Sequence, residues 1–261
     1  MFRYFRLYKH IFQFTLVKNL AYPQNFLLWS LMDIVWAIVN LGFFRILLLN
    51  IPHISGWTWE ELTIPLGLFY LLNAFIWGAM HTNMKQIPLD VNKGNLDLYL
   101  TRPVNSQFLL STRNINFSLI PSIVVGAFLT WYGYSLNHLL NVQNLLLALL
   151  FLTTSATICY SLWFMSVTIS IWFNRLLNIP EVFTTVFDVA KYPVDIYPPL
   201  ARFLLLTVFP LGLVLFLPSE IILGRISISY LFFPILAAGI LLFISHKFWN
   251  FALRHYSSAS S

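Results

Sequence analysis

Five stretches of this sequence stay apolar for about 20 residues or more, the length an α-helix needs to cross roughly 30 Å of hydrocarbon. They are Phe26–Leu49, Leu62–His81, Phe108–Tyr132, Leu145–Phe173 and Tyr230–Trp249. No ten-residue alternation of apolar and polar positions accompanies them, which excludes a transmembrane β-barrel. Charge excludes a soluble fold. Only 9% of the 261 residues are charged and 59% are hydrophobic, against about 25% and 45–50% in soluble domains. Fifteen basic and nine acidic residues cannot cover the surface of such a domain. Soluble enzymes, disordered proteins and DNA-binding modules are therefore set aside, in spite of a net charge of +6 and a pI near 9.5. The lone cysteine, Cys159, supports neither a disulfide framework nor a CxxC metal site. The chain reads as an all-α polytopic membrane protein, a single domain over 1–261.

Residues 176–223 admit two readings. In the first, Leu176–Tyr192 is a fifth span that carries Glu181 and Asp188, and 193–224 form a re-entrant hairpin broken by Pro210 and Pro218. In the second, Arg202–Leu217 is the fifth span and the earlier stretch is a loop; proline is tolerated in membrane helices, so both remain open. Either gives six transmembrane helices.

Before the first span, residues 1–22 place Arg3, Arg6, His10 and Gln13 on one helical face and Phe5, Phe12, Leu16 and Leu20 on the other. This pattern predicts an interfacial amphipathic helix on an anionic lipid leaflet. A signal-peptide start is disfavoured because no small-residue cleavage site follows. Eleven of the fifteen basic residues fall in the N-terminal segment, the connection after span two, Arg175 and the C-terminal end. The connections around Glu60 and 134–144 carry none. Cytoplasmic N- and C-termini follow from that asymmetry.

No P-loop, HExxH or GxSxG motif occurs, and no catalytic, cofactor-binding or metal residues are expected. Ionisable residues inside spans are functional hypotheses by default, since each costs at least about 2.5 kcal/mol in lipid. Asp33 and Arg45 are too far apart on one helix to pair, so Arg45 snorkels and Asp33 seeks the headgroups, Lys18 or a neighbouring helix. Glu181 and Asp188, seven residues apart, share a helical face and either line a polar pathway or mark a loop. Phe69, Tyr70, Phe75 and Trp77 serve helix packing or an amphiphilic ligand.

The most informative segment is 85–104, KQIPLDVNKGNLDLYLTRPV. It is too polar to span, yet its apolar residues alternate with charges between the punctuating Gly94 and Pro103. That suggests an element docking onto another protein, or else an interfacial loop.

The run KGNLDLYLTRPVN resembles the signature after span two in a family of bacterial ABC type-2 exporter permeases. LAYPQNFLLW, GWTWEEL and YPVDIYPPLARFLLLTVFPLGLVLFLPSEIILG resemble further patches of that family, in the same order. The resemblance implies a permease subunit of a bacterial plasma membrane, which pairs with a second six-span permease as a homo- or heterodimer. A cytoplasmic ABC ATPase subunit would bind the ATP, so this chain would need no cofactor of its own. It also implies a coupling helix formed by Asp90, Lys93, Gly94, Leu96, Asp97, Leu98, Tyr99, Leu100, Arg102 and Pro103, and it favours the hairpin reading. The cargo would be hydrophobic or amphiphilic. Membrane lipids are the other expected partners and nucleic acid is not one. A lipid-modifying membrane enzyme and a membrane scaffold are the competing readings.

Overall fold

The computed structural model describes residues 2–50, 56–173, 177–189, 191–192, 197–207, 210 and 212–256. Arg175, residues Leu176 and Ala190 of the expected fifth span, and 193–196, 208–209 and 211 of the expected hairpin lie outside these residues. Eleven helices follow one another among the described residues, with no β-strand. They are α1 (Phe2–Leu20), α2 (Pro23–Asn50), α3 (Trp59–Asn92), α4 (Asp97–Leu100), α5 (Ser106–Thr112) and α6 (Ile120–Leu136). Then come α7 (Val142–Ile171), α8 (Ile179–Val189), α9 (Pro199–Thr207), α10 (Gly212–Ile222) and α11 (Ile228–Leu253).

Four of them, α2, α3, α7 and α11, are long and apolar enough to cross a bilayer, and α6 is a shorter apolar helix of 17 residues. Helix α3 is the axis of the bundle. Its apolar window is 67% buried, against 17% for α2 and α11, as expected of a helix that is hydrophobic on every side. It packs most extensively on α6, while α7 packs on α11. A capping box starts α3: the Thr58 hydroxyl accepts from the Glu61 N–H, and Glu61 accepts from the Thr58 N–H. Glu61 also pairs with Arg225 at 2.6 Å, and the Arg225 guanidinium lies over the Trp57 ring. At the same end Arg45 covers the Trp59 ring, so its charge ends on an aromatic face.

Two expected boundaries move. Span two does not stop at His81 but runs on to Asn92, so the first half of 85–104 is the tail of α3. Span three is not one continuous helix from Phe108. Helix α5 ends at Thr112, residues 113–117 are non-helical, and α6 starts at Ile120, with Pro121 in its first turn. Bare backbone is costly at membrane depth unless protein groups satisfy it. They do so here. Residues Ile76–His81 of α3 form a π-helical turn, and within it the Gly78 carbonyl accepts the Asn116 N–H at 2.7 Å.

The same device recurs in α10. Pro218 has no N–H to offer the Val214 carbonyl one turn back. The Ser155 hydroxyl of α7 supplies the missing donor at 2.6 Å.

The described part of the expected fifth span is α8, only 11 residues and about 16 Å long. Its contacts climb alongside α3 and α7: Glu181 meets Lys85, Phe183 stacks on Trp163, and Phe187 stacks on Phe69. Helices α9 and α10 are both short and meet at an angle of 68°.

Candidate functional site

Two features stand out from this frame, a polar cavity in the bundle and a tip at the far end of α3. The cavity has a volume of about 910 Å³ and lies between α1, α2, α3, the 114–119 segment and the end of α8. Trp29, Trp36, Phe69, Tyr70 and Trp77 give it aromatic walls; Asp33, Asn40, Asn73, His81 and Asp188 give it polar ones. The His81 ring stacks on Trp77 with centroids 4.2 Å apart. Asp33 finds its partner on a neighbouring helix: the Ser122 hydroxyl of α6 lies 2.8 and 2.7 Å from its two carboxylate oxygens.

Glu181 and Asp188, expected to line one pathway, are divided. Asp188 lines the cavity beside Lys191. Glu181 instead forms an ion pair with Lys85 at 2.8 Å. Of the four aromatics singled out in span two, Phe69, Tyr70 and Trp77 face the cavity and Phe75 faces two clefts on another side of α3.

The tip is built on a buried polar knot. The Asn83 amide nitrogen donates to the carbonyls of Ser111 and Asn114, at 3.0 and 2.9 Å, and its oxygen accepts the Asn114 N–H at 2.9 Å. Two helical turns further along, Asp90 pairs with Arg113, the two side chains being only 3% and 10% exposed. Arg113 also lies over the Tyr99 ring, 4.9 Å from its centroid. Gly94 turns the chain with φ +71°, a conformation that a side chain would strain. Leu96 is fully buried, and Tyr99 and Leu100 are half-buried against the core. What remains exposed is a small crown: Lys93, Leu98, Arg102 and Pro103, with Leu98 64% accessible. Asp97 is half-buried at its edge.

The sequence reading thus located the crown but missed Asn83, Arg113, Asn114 and Ser122 as structural partners. Asp90 belongs to the buried knot and not to a charged rim. A cue was present, since Asn83, Ile87, Asp90 and Val91 recur at helical spacing on one face.

A family model described as ABC-2 family transporter protein matches residues 34–260. The chain belongs to the ABC-2 transporter family. Comparisons with curated proteins and with solved structures give no match. As an ABC-2 permease the chain is a multi-pass membrane component of an ABC transporter, a transport subunit whose general kind of partner is an ABC ATPase.

Proposed function

We propose that the chain is the permease subunit of an exporter driven by ATP on a separate cytoplasmic subunit. In this reading it moves a hydrophobic or amphiphilic substrate out across a bacterial plasma membrane. Six crossings result if α6 and the segment through α8 complete the four long helices, with α9 and α10 as a re-entrant hairpin and α1 in the interface. A second permease subunit, identical or related, completes the pathway. The observation that carries this is the family match over 34–260, in a sequence without a P-loop. The crown supports it, because Leu98 is an apolar side chain held out by a rigid base with cations beside it. ATP binding on the partner would push on the crown, and the Asp90–Arg113 pair would pass the motion into α3. Such a push biases access only if ATP and substrate favour different states.

Co-purification of a P-loop ATPase in mild detergent, with ATP turnover in vesicles, tests the assignment. Leu98→Ala should cost about 2 kcal/mol or more of partner binding if it anchors the interface, leaving the thermal midpoint of the permease unchanged. Leu100→Ala should lower stability as well, because Leu100 packs on the core. Wild-type ATPase binding in Leu98→Ala would remove the crown's coupling role and favour a scaffold.

Topology has its own test. The Asn137 amide donates to the Glu60 carbonyl at 3.0 Å, so both sit at one end of the bundle, opposite the crown. Single cysteines at positions 60 and 137 should react with an impermeant reagent in intact cells, and one at 93 should not. The reverse pattern would overturn the orientation drawn from basic residues.

A further inference from the structure

We infer that the cavity selects organic cations and that Asp33 is the residue that makes the selection. This rests on the export reading, which leaves the cargo's charge open.

Asp33 lies well inside α2 and faces the cavity, half-buried. Its partners are the Ser122 hydroxyl and the Ser122 backbone N–H, two neutral donors for two carboxylate oxygens with about four acceptor positions between them. Ser122 is the third residue of α6, where backbone N–H groups have no partner in their own helix and negative charge is favoured. No side chain at Leu119 caps that end. The helix end therefore places partial positive charge beside Asp33 without supplying a full countercharge.

The other charges on the cavity wall do not neutralise it either. Lys191 donates to Asn40 at 3.3 Å and acts electrostatically on Asp188, so those two offset each other at one end. Lys18, exposed on α1, also lines the cavity but forms no ion pair with Asp33. Among the described residues no Lys or Arg forms an ion pair with Asp33. One carboxylate is left facing indole and phenyl walls, and aromatic faces attract cations as well. A cavity of about 910 Å³ matches a drug-sized ligand. The ligand class is a bulky, largely apolar molecule with one positive charge. An Asp33 that served only as a cap for α6 would give the same structure but no charge preference.

Tetraphenylphosphonium and tetraphenylborate have the same shape and opposite charge, which makes them the probes. The full-length protein is purified into phosphatidylcholine nanodiscs, and binding is read by tryptophan quenching, with empty nanodiscs correcting for partition. The phosphonium should bind at least about tenfold more tightly than the borate. Asp33→Asn keeps an acceptor for Ser122 and a competent helix cap; it should erase that difference without moving the thermal midpoint. Asp33→Glu should retain it. Ser122→Ala should also retain it, since the charge stays.

Equal binding of the two ions by the wild type, or an unchanged preference in Asp33→Asn, overturns the inference. If Asp33→Asn does not fold, the wild-type comparison with Asp33→Glu decides alone. ATP-dependent transport of a neutral amphiphile, with no preference between the probes, removes the cation claim and leaves the export reading standing. Selective phosphonium binding without any ATPase partner does the opposite.

Discussion

Arg113→Met is expected to unfold the crown end of the protein, not merely to weaken it. Asp90 is 2% exposed, so loss of the guanidinium leaves a buried carboxylate with no compensating charge. Breaking a buried pair from one side typically costs about 3–5 kcal/mol, a large part of the 5–15 kcal/mol that holds a domain together. Arg113 also reaches the Asn83 carbonyl at 3.5 Å and the face of Tyr99, so the same change loosens α3 from both α4 and the 113–117 segment. The check is the thermal midpoint and yield in detergent. Replacing both partners, Asp90→Leu with Arg113→Met, should recover most of the stability, because well-packed apolar residues often match a buried pair. The double variant should still transport poorly, since the contact with Tyr99 is gone. A single variant as stable as wild type would mean that the pair is not buried in the membrane-embedded protein.

This knot also shows what the sequence could and could not reveal. Long unbroken apolar runs place α2, α7 and α11 within a few residues, because length and hydropathy are local properties. The start of α6 is different. Arg113, Asn114 and Asn116 signal a break in the third run, but whether non-helical backbone can stand there depends on the Gly78 carbonyl of α3 accepting from it. A π-turn leaves no mark in hydrophobic periodicity, so its tertiary partner stays invisible until the helices are packed. Asp33 is a similar case. Its presence in a span marked it for attention, yet nothing in the chain pointed to Ser122, which the fold delivers from another helix. Asp90 is the instructive error. Read as alternation its segment is a surface loop, and read at helical period it buries Asp90 with Ile87 and Val91.

Gly126→Val should be the most damaging apolar substitution in the bundle. Helices α3 and α6 touch backbone to backbone where Gly67 faces Gly126. A Cβ on Gly126 would lie 2.9 Å from the Gly67 carbonyl oxygen and 2.8 Å from the Leu71 nitrogen; one on Gly67 would lie 2.6 Å from the Thr130 nitrogen. Neither glycine has positive φ, so the requirement is close approach and not backbone freedom. Membrane helices associate through such small-residue seams because lipid offers no hydrophobic drive between them. Overpacking usually costs about 1–3 kcal/mol when side chains can shift, and backbone atoms cannot shift so cheaply, so the loss should reach or exceed the top of that range. Gly42 and Gly239 have no atom within 4 Å of a built Cβ and serve as controls. Alanine there should leave the thermal midpoint unchanged or raise it slightly, given the helix propensity gained. Equal midpoints for Gly126→Val and the wild type would disprove the close approach. The consequence extends to the cavity, because Ser122 lies one turn from Gly126 on α6. Moving α6 away from α3 carries the Asp33 partner with it, so Gly126→Ala, the milder change, should disturb ligand binding at the cavity before it unfolds the protein.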